Sequence, residues 1–388
     1  MNQGKYVFSQ LMSFVSHNDF NDCVKRYNGD YKTKHFSCWN QFLCMAFGQL
    51  TQRESLSDTM LCLTINPKKL YHLGIGEKIV KSTLSKANEN RDYRIYQDFA
   101  LLLIENAKQL YRSDSNIEVD LKNNVFALDA TVVHLCLSLF NWAHFRQQQA
   151  AIKIHTLLDL KTSIPNFIQI TNASVHEVNI LEIIALEPGS FYVMDRGYLD
   201  TKRLYRIHLA KAFFIIRAKR NTKFKRVASR SANKSDGVMC DQMVKFVSFY
   251  PSRDYPEKLR RIKYIDKATG KRFVFLTNND KLTPLQIASL YKDRWKIELF
   301  FKWIKQHLKI KSYWGHSPNA VKTQIWIAIA VYTIVAIIKK KLNLTQSMYE
   351  ILQILSTNMF DKTPLNELFS NNDYQDVKEL NSNQLILF

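Results

Sequence analysis

Apolar residues recur at intervals of three and four over 8–20, 38–50, 56–63 and 93–110, so residues 1–115 predict an all-helical unit. From 124 the period changes. The runs 124–130 (NVFALDA), 150–160 (AAIKIHTLLDL) and 166–171 (NFIQIT) suit strands, the last two joined by a turn at 162–165. A helix over 176–186 is stopped by Pro188 and Gly189, and a buried strand over 191–194 ends at Asp195. Helix 201–210 and strand 213–217 follow, which predicts an α/β unit with a mixed sheet and helices on its faces. Strand ends border the crevice of such a sheet, and Asp129 and Asp195 lie at two of them.

Residues 221–280 read as short strands, with 259–266 and 272–277 forming a hairpin around Thr269 and Gly270. They form an inserted β subdomain that interrupts the α/β series until it resumes over 281–342. Thr283 and Gln286 make a capping-box pair around Pro284, and one helix runs on through 289–311. Its apolar residues, among them Leu290, Trp295, Ile297, Leu299, Phe300, Phe301, Trp303 and Ile304, predict deep packing. The fourteen-residue apolar run 325–338 is shorter than the roughly twenty residues that span a bilayer, so 320–342 reads as a buried helix and no membrane role is expected. The tail, 343–388, is left for dimerisation.

Charge narrows the function. Among 388 residues, 55 Lys and Arg oppose 34 acids, a net +21 that calls for a polyanionic partner, nucleic acid first. An anionic membrane is the second candidate, but the basic residues are spread over several segments instead of one amphipathic helix. From 196 to 235 there are thirteen Lys or Arg and one acid, Asp200. Six cysteines without a C-x-x-C pair, and an N-terminus without a secretory pattern, point to the reducing cytoplasm.

The candidate chemistry lies in Tyr291, Arg294, Glu298, Lys302 and Lys305, spaced three, four, four and three so that they share one helix face. Glu298 there is either a rung of an ordinary ladder with Arg294 and Lys302 or, with Asp129 and Asp195, a set of oxygen ligands for Mg2+ or Mn2+. Two such ions would serve an in-line displacement at phosphorus. Asp159 rivals Asp129 for a place in that set. Lys153 and His155 share one face of their strand and are candidates to reach the crevice. Arg196 steadies either a phosphate or the neighbouring carboxylate. Lys81, Ser82, Lys86, Asn88 and Arg91, on a short helix after Gly74 and Gly76, suit either a recognition helix reading DNA or a solvated surface. His134, His144, His155 and His176 show no metal-ligand spacing.

The stretches ALDATVV, IKIHTLLDL and VMDRGY, with Y-x2-R-x3-E-x6-K at Tyr291, Arg294, Glu298 and Lys305, resemble the DDE transposases of the insertion-sequence-4 type over roughly 125–311. STLSKANENRD resembles the end-binding domain of bacterial members. The resemblance implies an RNase H-like catalytic domain (116–220 and 281–342) behind a helical domain that binds element ends (1–115). It implies that Asp129, Asp195 and Glu298 hold two divalent ions, and that Tyr291, Arg294 and Lys305 hold phosphates. It further implies double-stranded DNA as terminal inverted repeats and target, cleavage and strand transfer through a hairpin within a synaptic homodimer, and work at the bacterial nucleoid. The 102 residues between Asp195 and Glu298 suit members with a β insertion, yet no Trp lies between Arg196 and Arg294 to hold a flipped base. Phe249, Tyr250 or Tyr255 could stack a base instead. An RNase H-like nuclease without strand transfer, and an inactive DNA-binding descendant, are the alternatives.

Overall fold

Short polar clusters cut the N-terminal third into helices: α1 (Val7–Met12), α2 (His17–Arg26), α3 (Cys38–Leu50), α4 (Leu56–Thr64), α5 (Pro67–Leu70), α6 (Lys81–Asn90) and α7 (Arg94–Leu110). In this computed structural model, residues 4–65, 67–76, 79–115, 117–146, 149–307 and 313–370 are described. Ser16, Ser37 and Ser55 cap α2, α3 and α4 by accepting the backbone N–H three residues on. The Ser16 cap explains why 8–20 is two helices and not one: its side chain closes a new helix start inside the apolar run. Phe20, Trp39, Phe42 and Phe99 then interlock as one aromatic cluster between α2, α3 and α7.

The strands are β1 (Val125–Leu135), β2 (His144–Arg146), β3 (Gln149–Asp159), β4 (Pro165–Asn172), β5 (Phe191–Met194), β6 (Phe213–Arg217), β7 (Phe224–Arg230), β8 (Val238–Phe246), β9 (Leu259–Ile265) and β10 (Arg272–Thr277). They form one ten-stranded mixed sheet in the order β2-β3-β1-β5-β6-β10-β9-β8-β7, with β4 on β3. β1 runs antiparallel to β3 and parallel to β5, and β5 parallel to β6. Side chains alternate between two cores. Val125, Ala127, Ile152, Ile154 and Leu158 face one, and Phe126, Leu128 and Leu157 face the other. In place of the expected helix over 176–186, the chain makes a 3-10 segment at Glu177–Glu182. The basic insertion is not set apart: β10 pairs antiparallel with β6, so β7 to β10 extend the same sheet.

Helix α8 (Thr201–Leu209) packs on β6, and α9 (Phe249–Asp254) follows β8. The expected single helix over 289–311 is two, α10 (Pro284–Asp293) and α11 (Trp295–His307), and its last residues, 308–311, lie outside the described ones. Trp295 and Leu299, one turn apart, are exposed although deep packing was expected, because no described residue covers that side of α11. Helix α12 (Pro318–Lys341) is long and apolar enough to cross a membrane, but almost all of it is buried within the protein, mainly against α7 and α3. Tyr111 donates to the carbonyl of Ala336, and Tyr332 to that of Ser163, so α12 joins the N-terminal helices and the sheet in one core. Helices α13 (Met348–Asn358) and α14 (Leu365–Ser370) close the described chain; the rest of the tail assigned to dimerisation, 371–388, lies outside it.

One buried ion pair sets where α10 begins. Arg260 on β9 donates Nε and one terminal nitrogen to the two carboxylate oxygens of Asp241 on β8, at 2.8 and 2.6 Å, and its other terminal nitrogen to the carbonyl of Leu282. Both side chains are only 3% exposed. Asp241→Ala would strand a buried guanidinium, and chemical denaturation should show a loss of about 3–5 kcal/mol.

Candidate active site

Asp129 and Asp195 are neighbours because β1 and β5 are parallel and in register, Leu128 beside Met194, so each aspartate is the next residue on its own strand. The third carboxylate crosses from α11. Arg294, between α10 and α11, donates to Asp129 Oδ2 at 3.0 Å and to Glu298 Oε1 at 2.5 Å, one guanidinium spanning both acids. The Tyr291 hydroxyl donates to Asp195 Oδ1 at 3.2 Å. The Tyr291 ring rests against Phe275 of β10, with centroids 4.8 Å apart, so the insertion helps to aim this phenol. The face expected to hold phosphates thus holds the three carboxylates here.

Beside them opens a cleft of about 370 Å3 lined by Asp129, Thr131, Glu298, Phe301, Lys302 and Lys305. Lys302 is exposed, whereas Lys305 donates to the carbonyl of Val132 at 2.8 Å. Arg196, next to Asp195, is exposed. Burial pushes the Asp129 carboxyl up to about 6; the Ala130 N–H and Arg294 oppose the shift, while Glu177 and Glu298 add to it.

Other sequence candidates fall outside the site. Asp159 pairs with Phe126, further back along the strands than Asp129, and its carboxylate accepts the N–H of Lys161 to close a turn. Lys153 and His155 project from the sheet face opposite Asp129, by the register that pairs Asp129 with Thr156. His155 bonds Thr171 and is pushed down to about 4 by burial, while Lys153 bonds the carbonyl of Val175 and lies 3.4 Å from Glu177. On α6, Lys81, Ser82 and Lys86 are exposed, but Asn88 and Arg91 are turned inward. Asn88 bonds Gln41, and Arg91 bonds the carbonyls of Phe36 and Ser37, so neither reads DNA. Tyr255 is also buried, its hydroxyl paired with His208, which leaves Phe249 and Tyr250 as exposed rings.

Two residues were missed. Glu177 adds a fourth negative charge that acts on Asp129. The Tyr198 hydroxyl is buried without a hydrogen-bond partner among the described residues, and after desolvation the charges of Asp129 and Glu177 act on it most. Tyr198 was legible as the last letter of VMDRGY; Glu177, in a stretch read as a plain helix, gave no signal.

Residues 120–334 match the family described as the transposase DDE domain, and residues 3–76 match a domain of unknown function. A protein of Sinorhizobium fredii named as a transposase is 31% identical over 72% of this chain and 77% of its own length. Proteins named as insertion-sequence transposases from Geobacillus stearothermophilus and Synechocystis are each 26% identical, over 65% and 74% of this chain and 66% and 80% of theirs. A solved piggyBac transposase synaptic complex with hairpin DNA aligns over 92% of this chain and 81% of that one, at 12% identity and a TM-score of 0.46, too distant to carry an argument.

The raised Asp129 carboxyl has a consequence for stability. It favours folding below the ordinary carboxylate range, and that contribution is lost as pH rises through about 6. The stability of Asp129→Asn relative to the parent should therefore grow by about 2 kcal/mol between pH 4 and pH 7.5, read from denaturant melts without added metal.

Proposed function

Since this chain belongs to the family of DDE transposases, we propose that it cuts DNA at the ends of a mobile element and joins the freed ends to a target, with Asp129, Asp195 and Glu298 as its catalytic carboxylates. The approach of three acids, one within β1, one just past the end of β5 and one on a helix about a hundred residues further on, supports this reading. It is also consistent with an RNase H-like core, in which β4, β3, β1, β5 and β6 lie side by side.

The donor set suits a hard divalent ion, because it offers carboxylate oxygen alone and already takes a cation, the Arg294 guanidinium, between two of its members. Among the described residues, no three His, Cys, Asp or Glu side chains stand close enough to close on one ion, so the carboxylates would have to draw together to hold one. Asp129, Asp195 and Glu298 would then hold Mg2+ or Mn2+. A pair of such ions supplies activation of an attacking water or 3′-hydroxyl and stabilisation of the leaving oxygen. The chain's own cations act on the substrate: Lys302 and Lys305 at the cleft, and Arg196 beside Asp195, bind phosphates and orient the scissile bond.

Double-stranded DNA fits the surface. β7 is exposed along nearly its whole length and carries Lys225, Arg226 and Arg230 at the sheet edge. Phe249 and Tyr250 give the insertion an aromatic platform for a displaced base on a hairpin route. On α6, Lys81, Ser82 and Lys86 remain for end recognition. The working unit is a homodimer in a synaptic complex at the bacterial nucleoid. An inactive DNA-binding descendant is favoured by one observation, the guanidinium lodged between Asp129 and Glu298.

DNA carrying the element's inverted repeats, incubated with the protein and Mg2+ or Mn2+, should be cleaved and joined. Asp129→Ala, Asp195→Ala and Glu298→Ala should each lower cleavage by at least about 100-fold with end binding nearly intact. Cleavage without joining would reduce the protein to a nuclease, and neither would leave the inactive binder. Lys225→Glu with Arg226→Glu should weaken DNA binding and flatten the slope of log affinity against log salt by about 2, as two phosphate contacts are lost.

A further inference from the structure

We propose that Arg294 is the resident counter-charge of Asp129 and Glu298 in the DNA-free protein, and that it exchanges its place with a divalent ion when substrate phosphate offers the guanidinium another partner. This inference rests on the reading of these carboxylates as ion-holding. It makes Arg294 a positioning residue that couples metal uptake to DNA engagement.

Arg294 is held unlike Arg260. Arg260 spends Nε and both terminal nitrogens on fixed acceptors, the Asp241 carboxylate and the Leu282 carbonyl, as a structural arginine does. Arg294 is nearly as buried, with 14% of its side chain exposed, but it spends only its terminal nitrogens, and both go to carboxylates of the site. Its Nε is buried with no hydrogen-bond partner among the described residues. Apart from the Tyr291 ring, whose centroid lies 5.9 Å from it, this guanidinium is held only by the acids that an ion would claim.

The backbone agrees. Arg294 falls where the ladder between α10 and α11 is interrupted: its N–H bonds the carbonyl of Tyr291, and its carbonyl accepts from Ile297, both three-residue spacings. Hinge residues stand at such element ends. The cleft with Lys302 and Lys305 opens beside Asp129 and Glu298, so a phosphate placed there lies on the side toward which the guanidinium would be drawn. Withdrawal without replacement would leave Asp129 and Glu298 facing each other as uncompensated charge. The exchange is therefore favourable only when ion and phosphate arrive together, and each raises the affinity for the other.

Titration of Mn2+ into the full chain, followed by the electron paramagnetic resonance signal of the free ion with and without a short DNA duplex, tests this. Without DNA, Arg294→Gln should bind Mn2+ about tenfold more tightly than the parent, and Arg294→Lys, which keeps a cation, should stay near the parent. The duplex should tighten Mn2+ binding by a similar factor in the parent and little in Arg294→Gln. Circular dichroism checks that the variants fold. Equal or weaker Mn2+ binding by folded Arg294→Gln without DNA overturns the exchange. Should that variant not fold, the parent decides: no gain in Mn2+ affinity on adding duplex overturns it as well. Absence of any Mn2+ binding that Asp129→Asn removes, with DNA or without, overturns the ion-holding reading and the exchange together.

Discussion

The parallel pairing of β1 with β5 is the constraint from which the site follows. Its register sets Leu128 beside Met194, and because both strands point the same way, the residue that follows each is an aspartate, Asp129 within β1 and Asp195 just past β5. Shifting that register by one residue would send one carboxylate to the opposite face. Both strands are buried wherever they pair, which makes such a slip costly: Val125 to Leu128 and Phe191 to Met194 are all in the core. Hydrophobic packing on two faces thus fixes the separation of two charges.

The insertion depends on the same sheet. By adding β10 to β6 it puts Phe275 under the Tyr291 ring, and through Arg260 and Asp241 it anchors the loop that leads into α10. A stretch that looks like a separate basic module in one dimension is part of what orients the residues opposite Asp195. The contribution is positional, through packing and one ion pair, and it leaves the outer strand β7 free to present its cations.

The order of strands and helices was readable because periodicity reports burial, and burial is decided locally along β1, β3, β5 and α12. Asp195 was readable as a strand-end acid and Glu298 as a lone acid on a basic face, whereas Asp129, expected at the end of a strand over 124–130, lies inside β1, which runs on to Leu135. What escaped depends on partners distant in the chain. Asn88 and Arg91 have the composition of a DNA-reading surface, yet Gln41 and the carbonyls ahead of α3 turn them inward. Trp295 and Leu299 look like core because helical spacing cannot say which neighbour is missing. The break at Arg294 has no glycine or proline to announce it, and Glu177 becomes part of the site only through the turn that carries it back over the sheet.

The sign of the site runs against the sign of the molecule. A chain with a net charge of +21 gathers four acids, Asp129, Asp195, Glu298 and Glu177, around one crevice. The basic surface draws in a polyanion, but its phosphates would be repelled at the crevice unless positive charge stood between the acids and the backbone. Lys302 and Lys305 supply part of that charge at the rim. Arg294 neutralises two acids from within, but bound to them it is not available to phosphate. Divalent ions would resolve both demands at once, since they neutralise the carboxylates and release the guanidinium toward the backbone. On the proposed reading, a DDE site assembled on a basic protein would favour the simultaneous presence of metal and DNA over either alone.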